Sequence, residues 1–215
     1  MIDVLYEDED ILAVNKPERL VAVPERRPLE QSLIEVLSAQ RAEKLYIVHR
    51  IDRETSGVIV FARNAEAHRQ LNRQFETRSV EKVYLALVHG VLCDDWGEID
   101  KPLRQFGSGR VGIDDQRGKA SVTEFHVLER LPVLTLVEVR PHTGRRHQIR
   151  VHLYSIGHSV VGDPLYGEQT VQHSYPRLML HAHKLSLHLP SGKRLTIGAA
   201  IPESFSRVVQ MARRE

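Results

Sequence analysis

The sequence predicts an α+β fold: a mixed, mostly antiparallel central β-sheet flanked by helices and loops. Three observations lead there. Apolar and β-branched runs of strand length recur along the chain, from DVLYE near the start to KRLTIGA near the end. Several neighbouring runs are joined by short turns, which suits antiparallel pairing. Helical spacing appears at irregular intervals, not in the βαβ alternation of a parallel sheet. The 215 residues fit a single domain spanning 1–215. A chain of that length can bury about 70% of its unfolded surface and needs no covalent staples.

The elements follow in order. DVLYE and ILAVNKP form two short strands around an acidic turn. SLIEVLSAQRAE has apolar residues at 33, 34 and 37, a helical spacing. GVIVFAR, residues 57–63, is an unbroken apolar run opened by Gly, the pattern of a buried strand. NAEAHRQLNRQFETR follows as a helix, with Asn64 placed to cap it and Leu71 and Phe75 four apart on one face. VEKVYLALVHG reads as a strand in which Val83, Leu85 and Leu87 alternate with Tyr84, Ala86 and Val88. Residues 97–118 are rich in Gly and charge and predict loops or a hairpin. ASVTEFHVLER and VLTLVEVRP are paired strands joined by a Leu-Pro turn. TGRRHQIRVHLYSIG predicts a helix with Thr143 as N-cap and Gly157 as terminator. Its Ile149, Leu153 and Ile156 share a face, which leaves Arg150 near the boundary between faces. LMLHAHKLSLHLP and KRLTIGA are further strands, and ESFSRVVQMARR is a closing helix.

Composition narrows the functional classes. Hydrophobic content of 41% and charged content of 27% suit a soluble globular protein. The single cysteine, Cys93, excludes an internal disulfide and a cysteine-rich zinc site, and points to a reducing compartment. No apolar run approaches the roughly 18 residues of a membrane helix. MIDVLYEDED is acidic and lacks the apolar stretch of a signal peptide, so a cytoplasmic location is expected. A net charge of +2 is too small to announce a nucleic-acid partner. Its distribution says more: RPHTGRRHQIRVH, residues 140–152, holds four Arg, three His and no acid. Such a stretch is either a solvated face or a surface that meets phosphates.

Most familiar chemistries find no foothold. The twelve histidines include HAH at 181–183 and the His of HRID, but no acid stands at matching spacing and there is no H-E-x-x-H. Polar strand residues explain them better than a metal does. There is no G-x-S-x-G elbow, and Cys93 sits beside two acids, a setting that disfavours a thiolate. Neither G-x-G-x-x-G nor a phosphate loop is present, so no nucleotide cofactor is indicated. HRIDRETSG, residues 49–57, stands apart because it places Asp52 among arginines just before a buried strand. Asp52 is either a surface acid paired with Arg50 or Arg53, or the group the loop is built to present. Spacing alone favours the first.

Four ordered stretches, and a fifth that follows them, change that balance. HRIDRETSGVIVFAR resembles the H-R-L-D-x-x-T-S-G signature of the RluA-type pseudouridine synthases. YEDEDILAVNKPERLVAVP is similar to that family's N-terminal motif around V-N-K-P-x-G. VEKVYLALVHG is similar to its K-x-Y strand. RPHTGRRHQIRVHLYSIGHSVVGDPLYG resembles its T-G-R-x-H-Q-x-R-V-H block and the G-D-x-x-Y-G that follows, and LMLHAHKLSLHLP resembles its L-H-A strand. The resemblance covers nearly the whole chain. Two departures stand out: Arg19 occupies the Gly position of N-K-P-x-G, which puts the local backbone geometry in question, and Ile51 replaces Leu. The chain begins at the first motif, so the N-terminal S4 RNA-binding domain of many members is expected to be absent, as in the short members acting on tRNA or on both tRNA and 23S rRNA.

The resemblance implies an isomerase that converts a uridine within RNA to pseudouridine. The glycosidic N–C bond breaks, the uracil turns, and a C–C bond forms to the same sugar, with no metal and no cofactor. It makes Asp52 the catalytic carboxylate, acting at the sugar or base or by removing a sugar proton. Arg150 becomes the cation that keeps that carboxylate ionised. Tyr84 matches the tyrosine that stacks on the flipped base, and Arg50 the arginine that enters the space the base vacates. Ile149 becomes an apolar wall beside the target ring. Arg145 and Arg146, together with His147, are RNA-binding candidates. Cations at a helix start are disfavoured by the dipole, which strengthens their reading as phosphate contacts. Thr55, Ser56 and Gly57 are expected to shape the turn, and Asn15, Lys16 and Pro17 to be structural. The expected partner is an RNA stem-loop, met by a monomer. A binding protein without turnover would have no use for Asp52, Tyr84 and Arg150 together.

Overall fold

The structure is a computed structural model that describes residues 2–24 and 30–214. Its elements in chain order are β1 (Asp3–Glu7), β2 (Ile11–Lys16), α1 (Leu33–Arg41), β3 (Tyr46–Ile47), β4 (Ser56–Ala62), α2 (Ala65–Glu76) and β5 (Glu81–His89). There follow β6 (Trp96–Asp100), β7 (Leu103–Gln105), β8 (Val111–Ile113), β9 (Val122–Arg130), β10 (Leu134–Pro141) and α3 (Gln148–Ser155). The chain closes with α4 (Gln169–Gln172), β11 (Leu180–His188), β12 (Arg194–Gly198) and α5 (Glu203–Ala212). All the strand pairings given below are antiparallel, so the α+β prediction holds. No helix among the described residues is long and apolar enough to cross a membrane. The chain divides into two compact units, residues 1–82 with 182–200 and residues 83–181 with 201–215.

In the first unit β2 pairs with β1 on one side and with β4 on the other, and β3 adds to the end of β4. The unbroken apolar run of β4 has a simple cause: both of its faces are covered. Val58, Val60 and Ala62 join Ile11 and Ala13 against Ala67 and Leu71 of α2. Ile59 and Phe61 join Leu12 and Val14 against Leu33, Ile34 and Leu37 of α1. Phe61 is fully buried, and truncating such a side chain to Ala costs about 3–5 kcal/mol. Both helices start on caps written in the sequence. The Asn64 side chain accepts the N–H of Ala67 at 2.8 Å, and the Glu35 carboxylate accepts the N–H and hydroxyl of Ser32 at 2.8 and 2.7 Å.

In the second unit β10 lies between β5 and β9, and β6 pairs with β9. Val137 and Val139 of β10 and Ala86 and Val88 of β5 pack with Leu153 of α3 and Phe205, Val208 and Val209 of α5. Within 97–118 the structure has both predicted features, a β7–β8 hairpin and connecting loops, and in addition the end of β6. The two-residue β3 and the four-residue α4 are too short to carry a periodic signal, and the sequence did not disclose them.

The predicted start of α3 is corrected. Thr143 does not cap it; the helix begins at Gln148, with His147 in the left-handed region at φ 52° as the preceding residue. The Gln148 side chain explains the delay. Its Oε1 accepts the Thr143 hydroxyl at 2.6 Å and the Arg145 N–H at 3.0 Å, while its Nε2 donates to the Val122 carbonyl at 2.8 Å. Those bonds hold residues 143–147 as a loop against β9. At the far end Gly157 does terminate the helix, at φ +86°.

Candidate active site

In the first unit residues 48–55 join β3 to β4 and bear Arg50 and Asp52. The turn that carries Asp52 is held on both sides. Ile51 is buried, and the Asp52 carbonyl accepts the N–H of Thr55 at 3.1 Å, closing a tight turn. Thr55 is buried and its hydroxyl has no hydrogen-bond partner among the described residues. Gly57 sits at φ +113°, where a Cβ would collide with the carbonyl oxygen of Ala182. Only glycine lets β4 start this close to residue 182.

Two side chains anchor the loop from below. The fully buried ammonium group of Lys16 donates to the carbonyls of Pro17 and Leu20 at 2.8 Å and of Arg53 at 3.0 Å. The His49 ring lies on Phe75 of α2, centroids 4.7 Å apart, and its Nε2 accepts the N–H of Val60 at 3.0 Å. Burial, with the nearby Lys82 charge adding to it, pushes His49 down to about 3, so the ring is neutral. Burial likewise brings Lys82 down to about 8, with Arg78 second. Arg19, at the family's glycine position, adopts φ 63°, the left-handed conformation a glycine would take freely.

The adjacent arginines are engaged elsewhere or face outward. Arg53 pairs with Glu30 at 2.9 Å and lies 3.9 Å from Glu54. Arg50 is exposed and forms no ion pair among the described residues.

In the second unit the basic stretch 140–152 sorts its charges. Arg140 pairs with Glu138 at 2.7 Å and His142 with Glu124 at 3.2 Å. His152 is buried between the Thr123 hydroxyl and the Lys101 carbonyl, each at 2.9 Å, and burial lowers its pKa. His147, expected to meet RNA, is buried too, with Nδ1 2.9 Å from the Tyr166 hydroxyl. Arg145 and Arg146 remain, exposed and without an ion pair among the described residues. They stand on a loop and not in a first helical turn, so the dipole argument for them falls away, while their availability to an anion stands.

Ile149 is buried in the core cluster of this unit, and the partly buried Tyr84 of β5 packs against that same cluster. Tyr84 is held in register opposite Val139 of β10. Arg150 is 2% exposed, and its Nε and Nη2 donate to the two carboxylate oxygens of Asp163, each at 2.7 Å. Its guanidinium lies 5.2 Å from the ring centre of Tyr166. Burial raises Tyr166 above the ordinary phenol value.

Asp163 and Tyr166 were not singled out from the sequence. The available signal was GDPLYG itself, an acid between glycine turns after the apolar pair Val160–Val161. No group of three or more His, Cys, Asp or Glu able to hold a metal occurs among the described residues, and the Nδ1 of His183 is within 3.0 Å of the Ala199 carbonyl.

Comparison with known proteins agrees with the motif reading. Residues 10–155 match the RNA pseudouridylate synthase family, well over half of the chain. The dual-specificity RNA pseudouridine synthase RluA of Haemophilus influenzae is 38% identical, with 92% of each chain covered. Ribosomal large subunit pseudouridine synthase D of Pseudomonas aeruginosa is 36% identical over 100% of this chain and 72% of its own. Among solved structures, human RNA pseudouridylate synthase domain containing 1 superposes with a TM-score of 0.81 at 29% identity, covering 100% of this chain and 96% of the other.

Proposed function

This chain belongs to the RluA-type RNA pseudouridylate synthase family and is an RNA-modifying isomerase, and we propose that Asp52, Tyr84 and Arg150 carry out its chemistry. The observation behind the proposal is the setting of Asp52. A partly exposed carboxylate stands on a loop whose flanking residues are buried, tethered or turned, so the loop spends its contacts on presenting that one group. In this reading both units serve one catalytic domain.

A uridine in a tRNA or 23S rRNA stem-loop leaves its stack, because the sugar–base bond is out of reach inside it. A relative named as a ribosomal large subunit synthase supports an rRNA substrate, and one named as dual-specificity supports action on more than one RNA. Tyr84 stacks on the flipped base, a contact worth about 1–3 kcal/mol. Arg50 fills the vacated space, Ile149 walls the ring, and Arg145 and Arg146 take backbone phosphates, with His147 shaping their loop. Asp52 acts as the ionised carboxylate while N1–C1′ breaks, the uracil turns, and C5–C1′ forms. The proton displaced from C5 and the one gained at N1 balance. Arg150 is the cation that the family resemblance assigns to this carboxylate. The reaction runs in the cytoplasm, on a monomer, without metal or nucleotide cofactor.

The test is incubation of the purified protein with unmodified tRNA and 23S rRNA transcripts in the presence of a chelator, followed by pseudouridine mapping. Product is expected, and Asp52→Asn is expected to bind RNA without turning it over. Release of free uracil, activity that vanishes with the chelator, or near-normal turnover by Asp52→Asn would each overturn the assignment.

A further inference from the structure

The role proposed for Arg150 demands more than a nearby charge, because a guanidinium is planar and offers distinct edges. Asp163 grips one of those edges at two points, through Nε and Nη2, both at 2.7 Å. Two-point contact of this kind fixes the plane as well as the position. Asp163 is itself held rigidly. Its Oδ1 also accepts the N–H groups of Leu165 and Tyr166 at 2.9 and 3.1 Å, and its own N–H donates to Gln172 at 3.1 Å. Gln172 in turn donates to the carbonyls of Val160 and Tyr166 at 3.1 Å. Gly162, just before Asp163, sits at φ +72°, and a Cβ there would run into the carbonyl of Arg177.

Tyr166 completes the seat. Its ring is 3% exposed beside the guanidinium, and its hydroxyl accepts the N–H of Val111 at 3.2 Å and meets His147 at 2.9 Å. A buried ion pair is a poor way to gain stability, since an apolar pair of equal volume avoids the desolvation. What it supplies is a defined orientation.

We propose that Asp163 is a positioning residue for the isomerisation: it holds the Nε–Nη2 edge of Arg150, with Tyr166 beside the guanidinium, and so fixes the plane and orientation in which Arg150 acts. The inference rests on the role of Arg150 proposed above.

Steady-state kinetics on unmodified tRNA and 23S rRNA stem-loop transcripts test it. The variants are Arg150→Lys, Asp163→Asn, Asp163→Glu, Tyr166→Phe and the double variant Arg150→Lys/Asp163→Asn. Asp163→Asn is expected to lower kcat about 30-fold or more with KM changed less than about 3-fold, because RNA binding is untouched. Tyr166→Phe is expected to lower kcat about 3- to 10-fold. The double variant should be no slower than Arg150→Lys alone, as expected when one residue acts through another. Should Asp163→Asn fail to fold, Asp163→Glu keeps the charge but shifts the grip, and is expected to show the same split between kcat and KM. A folded Asp163 variant with kcat within about 2-fold of the parent, or multiplicative losses in the double variant, overturns the inference while Arg150 keeps its role. Full activity of Arg150→Lys removes the role of Arg150 and the inference with it.

Discussion

The ammonium group of Lys16 donates to the carbonyl of Arg53 at 3.0 Å, tying the end of β2 to the residue that follows Asp52. Two further carbonyls share the same cation, whose side chain is fully buried. Lys16→Met would take a charged donor away from three part-buried carbonyls, where a hydrogen bond to a charged group contributes about 1.5–3 kcal/mol. The thermal midpoint should fall and kcat should fall with it, while RNA affinity changes little. Lys16→Arg should not rescue, because a planar fork cannot reach three converging carbonyls as an ammonium does. A Lys16→Met protein with unchanged midpoint and kcat would contradict this account of the loop.

His49 predicts a pH dependence of stability. Its pKa is about 3 in the folded chain against an ordinary value of 6.5, so between those values the unfolded chain binds the extra proton. Stability from this site is complete above pH 6.5 and is lost as pH falls toward 3, at about 1.4 kcal/mol per pH unit. Urea unfolding between pH 4 and 7 should show that slope, and His49→Gln should flatten it by about one proton. Equal slopes in the two proteins would count against a neutral His49.

Arg145 and Arg146 stand exposed on the loop before α3. Replacing either with Ala should weaken RNA binding and reduce the slope of log affinity against log salt by about 1, with kcat at saturating RNA unchanged. Fluorescence titration at several salt concentrations measures both quantities. An unchanged slope would remove these residues from the phosphate contacts.

Gly57→Ala combines a positive φ with a collision against the Ala182 carbonyl. The strain alone costs about 1–3 kcal/mol, and the collision adds to it. Circular dichroism melting should show a loss larger than that of Gly157→Ala, whose added Cβ meets open space. Equal losses at the two glycines would mean that the close approach is relieved at no cost.

Much of this was legible in the sequence because its causes are local. The two-sided burial of β4 is written in its unbroken apolar run, and the start of α2 in Asn64. The HRID motif marked Asp52 before any coordinate did. Thr143 misled because a cap-like threonine in front of a helical pattern resembles an N-cap. Gln148 took that hydroxyl for a loop, a choice made by the contact with Val122 on β9. Charge counting was also deceptive: of the basic residues in 140–152, His147, Arg150 and His152 turn inward.

The sequence by itself determined the α+β class, the order of most of the strands and helices, and the family to which Asp52, Tyr84 and Arg150 point. These depend on period, turn residues and motif, which act over a few neighbouring positions. Only the tertiary structure decided that Lys16 is spent on three carbonyls, that Arg53 pairs with Glu30, and that Arg150 is gripped by Asp163 and flanked by Tyr166. Which polar group satisfies another in the interior depends on what burial brings within 3 Å, and no local pattern encodes that.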